Sequence, residues 1–139
     1  MTNFRFFYPI EIRYADLDPQ GHVNNARFLT YFEQARVNYL IHLGLFDKNQ
    51  SFMEIGIILA DAHVTFKEPL YFRTDAQVGV RISRIGNKSM QMEYTIRDMD
   101  TGLEVASGAT TVVTYDYASH QTIPVPASWR EAIAKFENL

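Results

Sequence analysis

With 139 residues, 47% hydrophobic and 21% charged, the chain is long enough to bury a sizeable core and is expected to form one globular domain over residues 1–139. A formal charge of −3 with no Lys/Arg-rich block leaves no electrostatic footprint for nucleic acid, and no run approaches the roughly 20 apolar residues of a membrane span. Zero cysteines exclude a disulfide framework, thiolate zinc and cysteine catalysis. Thr2 to Tyr8 lacks the apolar core and small-residue cleavage site of a signal peptide, so a cytoplasmic protein is expected.

The first predicted element is a strand over Tyr8 to Tyr14, where Ile10 and Ile12 alternate with Glu11 and Arg13. A dense polar loop follows: Asp16-Leu17-Asp18-Pro19-Gln20-Gly21-His22-Val23-Asn24-Asn25. Asn24 or Asn25 suits the N-cap of a helix from about Ala26 to Leu43, and Gly44 suits its stop. Phe28, Tyr31, Phe32, Ala35, Tyr39 and Leu43 form one apolar stripe, while Leu29, Val37, Leu40 and Ile41 put apolar groups on much of the opposite side. A helix apolar on most sides needs something wrapped around it.

The second half offers that wrapping as period-2 strands. Ala60, Ala62, Val64 and Phe66 alternate with polar residues, as do Val78, Val80 and Ile82, then Met90, Met92, Tyr94 and Ile96. Val105, Ala109, Val113 and Tyr115 share one face of a last long strand that also carries Ser107 and Thr111. Gly86-Asn87 and Asp98 to Gly102 read as turns, and a short helix from about Ser128 to Glu137 follows Pro124 and Pro126. The expected fold class is α+β: a long central helix wrapped by a curved antiparallel five-stranded sheet, plus a short C-terminal helix. Long glycine-poor strands leave edges to protect, and a homodimer joining two sheets edge to edge would protect them.

The loop carries the chemistry. An acidic turn feeding a helix N-terminus sets a carboxylate beside free N–H donors, the tools for attacking and polarising a carbonyl. Pro19 biases Asp18 toward an extended backbone, and the helix dipole favours its ionised form. Asp18 is therefore the candidate nucleophile or general base; the alternative is a turn and cap of ordinary Asp-Pro and Asn-Asn material. Asp16 could orient the loop through a hydrogen bond or be a plain loop carboxylate. His22 could act as acid, base or substrate donor, or staple the loop. Glu33 lies three residues before Arg36, which suits an intrahelical ion pair; a helix-borne base is the other reading. Arg81, Arg84 and Lys88, around the turn Ile85-Gly86-Asn87-Lys88-Ser89, suit a phosphate-bearing ligand tail or a plain surface. The four histidines, 22, 42, 63 and 120, show no ligand spacing, so no metal is expected.

Tyr14-Ala-Asp16-Leu-Asp18-Pro-Gln-Gly21-His-Val-Asn-Asn25, with Tyr31-Phe-Glu-Gln-Ala-Arg36 on the helix, resembles the 4-hydroxybenzoyl-CoA thioesterase family of hotdog-fold proteins. The likeness runs from about residue 8 to 117 and includes Pro69-Leu70 and the turn at 85–89. The His-Val-Asn-Asn continuation looks more like the general acyl-CoA and acyl-carrier-protein branches. The resemblance implies a hotdog fold, a homodimer or a dimer-of-dimers homotetramer, and acyl sites at the subunit interface. It implies Asp18 as the catalytic carboxylate and the Asn25 backbone N–H as the donor to the thioester carbonyl. His22 and Tyr31 are assigned to the substrate, and Arg84, Lys88 and Ser89 to the coenzyme A phosphates. Coenzyme A then enters as part of the substrate, with no separate cofactor and no nucleic-acid or membrane partner. The expected activity is hydrolysis of an acyl-CoA thioester; an acyl-carrier-protein thioesterase and a non-catalytic acyl-CoA-binding module are the alternatives.

Overall fold

The structure, a computed structural model, describes residues 4–46 and 55–139. Thr2 and Asn3 of the leading segment lie outside the described residues. The elements run β1 (Phe6–Ile10), α1 (Phe28–His42), β2 (Ile55–Phe66), β3 (Ala76–Ile85), β4 (Ser89–Asp98), β5 (Glu104–Asp116), the two-residue β6 (Gln121–Thr122) and α2 (Ala127–Glu137). The five long strands form one antiparallel sheet in the order β1-β3-β4-β5-β2, curled about α1, and β6 adds to β5. This is the hotdog architecture expected from the sequence.

Local chemistry sets the limits of α1. The first strand, Phe6–Ile10, starts and ends earlier than the expected Tyr8 to Tyr14, and a short 3-10 turn covers Tyr14–Asp16. A second one over Asn25–Arg27 leads into the regular helix, which starts at Phe28 and ends at His42 against the expected Ala26 to Leu43. Asn24 is the cap: its side chain accepts from Ala26 N–H at 2.9 Å. At the other end Gly44 takes φ +77°, which lets Leu45 N–H reach Leu40 O at 2.9 Å and Gly44 N–H reach Ile41 O at 3.0 Å, a Schellman stop.

The helix rests on the sheet through aromatic packing. Phe32, fully buried, stacks on Tyr94 with ring centroids 4.5 Å apart and lies directly over Gly108 of β5. Beneath it Arg36 Nη1 donates to the Tyr94 hydroxyl at 3.1 Å, and that hydroxyl pairs with Thr110 Oγ1 at 2.8 Å, so the buried polar groups satisfy one another. The face of β5 turned to the helix is therefore Ala106, Gly108, Thr110, Val112 and Thr114; Ala109, Val113 and Tyr115 on the other face are only half-buried. Small and hydroxyl-bearing residues are needed where a ring lies flat on the strand, and they hide the core face from a hydrophobicity pattern.

The wrapping is one-sided. Leu29, Glu33 and Gln34 are exposed, and Val37 and Ile41 are half-buried. β2 is an edge strand whose residues Ile58 to His63 are all exposed. α2 closes the far end of the core with Trp129 and Ile133, and Glu137 accepts from the Tyr39 hydroxyl at 2.5 Å and from Ile82 N–H at 3.2 Å.

Candidate active site

The Asp18 loop is a miniature hairpin. Leu17 pairs with Val23, Asp18 N–H donates to His22 O at 2.9 Å, and Gly21 N–H returns to Asp18 O at 3.0 Å. Pro19 occupies the turn position that its fixed φ suits, and Gly21 takes φ +87°, where a side chain would be strained. The hairpin is fastened to the segment leading into β3 by Val23 N–H to Leu70 O at 2.7 Å and a bridge from His22 to Tyr71.

This folding aims the Asp18 carboxylate. Its Oδ1 accepts from Gln20 N–H at 3.0 Å, and its Oδ2 lies 3.5 Å from His22 Nδ1. The Asp18 side chain is 16% exposed and that of His22 34%, so the pair is enclosed yet open to a ligand. Asn25, one residue past the cap, begins the 3-10 turn that leads into α1 and is solvent-exposed. Its N–H finds no acceptor among the described residues, as the opening amides of a helix lack partners. A carboxylate and an open N–H donor thus sit on adjoining turns, joined through Asn24 N–H to Asp16 O at 2.9 Å.

Asp16 is the residue whose surroundings local spacing does not show. It is 1% exposed and its carboxylate gathers partners from several directions: Arg13 N–H at 3.0 Å, Arg13 Nη2 at 3.1 Å, the Tyr31 hydroxyl at 2.8 Å and Arg27 Nε at 3.8 Å. Burial pushes its carboxyl up, but the hydrogen bonds from Arg13 and Tyr31 outweigh that and hold it below the usual carboxylate value. The same contact and its own burial push the Tyr31 phenol well above its ordinary value. Tyr31 therefore has its ring in the core and its hydroxyl donating to Asp16. The hint in the sequence was the flanking pair of cations, Arg13 and Arg27, beside a loop with more carboxylates than one turn requires.

The other expected residues lie elsewhere. Glu33 is exposed and 4.0 Å from Arg36 Nη2, the ion-pair arrangement its spacing suggested. Arg84 and Lys88 are exposed and Ser89 half-buried at the β3–β4 turn. That turn is held by Arg130 of α2, whose guanidinium donates to Gly86 O and, at 3.0 Å, to Asn87 O. The Asp18 loop adjoins the start of β3 and the turn its end, so the ten residues of β3 separate them by roughly 30 Å within one protomer. A largely apolar cleft of about 760 Å³ lies between the uncovered flank of α1 and β2, lined by Glu33, Val37, Phe46, Ile57, Leu59 and Tyr117 among others. Phe28 and Phe32 belong to the core, whereas Phe66 is exposed against Phe28.

Residues 12–133 match the model of the thioesterase-like superfamily. The chain belongs to that superfamily. The narrower 4-hydroxybenzoyl-CoA family is not singled out by the match. Among solved structures, a thioesterase of Thermus thermophilus complexed with coenzyme A and Zn is 29% identical, with 100% of this chain and 99% of that one covered and a TM-score of 0.84. A DHNA-CoA thioesterase of Staphylococcus aureus is 23% identical, covering 96% and 91% of the two chains with a TM-score of 0.85, which speaks to the fold. In sequence, the long-chain acyl-CoA thioesterase FadM of Escherichia coli is 23% identical over 124 residues, 89% of this chain and 93% of that protein. Thioester hydrolysis, the enzyme class expected from the sequence, is the class these relatives carry in their names. No helix among the described residues is long and apolar enough to cross a membrane.

Proposed function

We propose that the protein hydrolyses acyl-CoA thioesters to a free acid and coenzyme A, with Asp18 as nucleophile or general base and the Asn25 N–H as donor to the carbonyl oxygen. The observation that carries this reading is the pairing of a mostly enclosed carboxylate with an open helix-start amide on adjoining turns. In the nucleophilic route Asp18 adds to the carbonyl, the C–S bond breaks, the thiolate leaves and takes up a proton, and water then cleaves the mixed anhydride. In the general-base route Asp18 takes a proton from the attacking water, and the same C–S bond breaks without an acyl-enzyme. In both, negative charge grows on the carbonyl oxygen, where the Asn25 amide and the dipole of α1 act. His22 borders the thioester through the ring whose Nδ1 faces Asp18. The apolar cleft beside α1 begins at Glu33, eight residues beyond Asn25 and so about 12 Å along the helix, and suits the acyl group.

The site is completed by a second copy. β2 is a twelve-residue edge strand without proline, and Leu29, Ile58, Leu59 and Phe66 are exposed on that side. Pairing β2 with itself about a two-fold axis runs the partner's strands in reverse. It brings the partner's β3–β4 turn, with its arginine, lysine and serine, to the same end of the joined sheet as Asp18.

The test is free-thiol release from short, long and aromatic acyl-CoAs by the native protein and Asp18→Asn. Hydrolysis by the native protein, with turnover in Asp18→Asn down by about 10²–10⁴-fold and coenzyme A still bound, is the expected result. Full activity in Asp18→Asn overturns the role of Asp18, and Glu33 becomes the candidate base. Saturation by acyl-carrier protein instead of acyl-CoA would favour the carrier-protein reading, and binding of acyl-CoA without hydrolysis a non-catalytic module.

A further inference from the structure

Asp16 is a buried titratable group in the loop that the chemistry above does not use. Burying a charge is unfavourable unless it is paired, and a loop carboxylate that only terminated a turn could stay in water. Asp16 is instead 1% exposed, and its partners belong to separate pieces of chain: Arg13 at the exit of the first strand segment, and Tyr31 and Arg27 on the helix side. Its own carbonyl takes the N–H of the capping residue Asn24. One residue therefore ties the strand exit, the Asp18 hairpin, the cap and the first turn of α1 to a common point.

We infer that Asp16 and the Tyr31 hydroxyl form a latch that sets where the Asn25 N–H stands relative to the Asp18 carboxylate, which makes both of them positioning residues. This rests on the thioesterase reading for its catalytic consequence, though not for its geometry. Tyr31 lies six residues beyond Asn25, so a hydrogen bond from its hydroxyl back to residue 16 fixes the rotation and height of the helix start against the loop. With the hydroxyl gone, α1 is still packed through Phe28, Phe32 and Ala35, but its first turn is no longer held to the hairpin from that side. Displacement of a catalytic group by about 1 Å can lower a rate about 10²-fold, and the Arg13 contacts that remain restrain part of that movement.

Tyr39 provides a matched control. It is also a buried tyrosine of α1, and its hydroxyl also donates to a carboxylate, that of Glu137, but two turns further along the helix. In the thiol-release assay Tyr31→Phe is expected to lower kcat about tenfold with KM changed less than about twofold. Asp16→Asn should move kcat in the same direction, and Tyr39→Phe should leave kcat alone despite a comparable drop in melting temperature. Equal kcat in Tyr31→Phe and Tyr39→Phe overturns the latch. Amide hydrogen exchange read by NMR on the same proteins judges the latch independently of activity. The Asn24 amide should exchange at least about tenfold faster in Tyr31→Phe and at the native rate in Tyr39→Phe. Unchanged Asn24 protection in Tyr31→Phe overturns the latch even if the enzyme is impaired. A native protein inert toward every acyl-CoA, with the exchange result as expected, overturns the thioesterase reading and leaves the latch standing.

Discussion

Gly108→Ala measures how the central helix is seated. A Cβ at 108 would stand 2.5 Å from Phe32 Cε2, 2.9 Å from Phe32 Cζ and 3.2 Å from His63 O. Carbon atoms meet at about 3.5–4.0 Å, so the ring must withdraw by about 1 Å or more. It has nowhere to go on its other sides: it is fully buried and already stacked on Tyr94 at 4.5 Å, and Tyr94 is fixed by hydrogen bonds to Arg36 and Thr110. Overpacking of this kind costs about 1–3 kcal/mol. For a chain of this length that corresponds to a fall of roughly 4–12 °C in melting temperature, at roughly 4 °C per kcal/mol. Urea unfolding followed by circular dichroism gives the free energy directly, and Phe32→Leu in the Gly108→Ala background should recover part of it by removing the clashing ring atoms. A Gly108→Ala protein as stable as the native one refutes the reasoning. It would mean that α1 slides freely over β5, and the polar contacts beneath it would then not fix its height.

Two further predictions concern charge and assembly. The native Asp16 carboxyl lies below its ordinary value near 3.8, so its contribution to stability is present above about pH 4 and is lost as the pH falls through the lower native value. Urea midpoints from pH 6 to pH 3 should therefore fall less steeply in Asp16→Asn than in the native protein; Glu104, held low by Lys67 and Thr95 against its burial, retains part of the slope. Light scattering should give at least twice the 16.1 kDa chain mass for the native protein, and Leu59→Lys at the exposed edge should shift it toward the monomer with loss of thioesterase turnover. A fully active Leu59→Lys monomer would show that the site needs no second copy.

The fold was legible because each element carries its own period or stop. Alternation at Val78 to Ile82 and Met90 to Ile96, the Asn cap and Gly44 are local signals, and the structure follows them to within a few residues. The orientation of β5 was not legible, since its helix-facing row of Ala106, Gly108, Thr110, Val112 and Thr114 is chosen for the shape of Phe32 and for hydrogen bonding to Tyr94 rather than for apolarity. The loop at 16–25 announced itself through its density of carboxylate, imidazole and carboxamide groups. Which carboxylate is buried and which is open did not, because it depends on Tyr31, 15 residues away in sequence, and on a backbone bond from Val23 to Leu70.

In the proposed mechanism, the burial of Asp16 and the exposure of Asp18 divide two tasks that one carboxylate could not perform. A carboxylate that must meet a thioester needs an uncommitted oxygen and access to the ligand, and Asp18 has one oxygen on Gln20 N–H and the other beside a half-exposed histidine. A carboxylate that must hold a helix to a hairpin needs its lone pairs filled, and Asp16 fills them with Arg13, Arg27 and Tyr31. Exchanging the two roles would take the counter-charge from the exposed Arg13 and Arg27, leave the Tyr31 hydroxyl without its acceptor, and set a saturated carboxylate at the proposed ligand site. The spacing Asp-Leu-Asp places Leu17 in the hairpin ladder opposite Val23, so the loop fixes both carboxylates at once, with opposite exposures. What one protomer does not provide near Asp18 is a cover for the flank of α1 or the β3–β4 turn with its cations. Both are supplied by the same two-fold pairing of β2 in the proposed dimer, so Leu59→Lys should weaken acyl and coenzyme contacts together rather than one at a time.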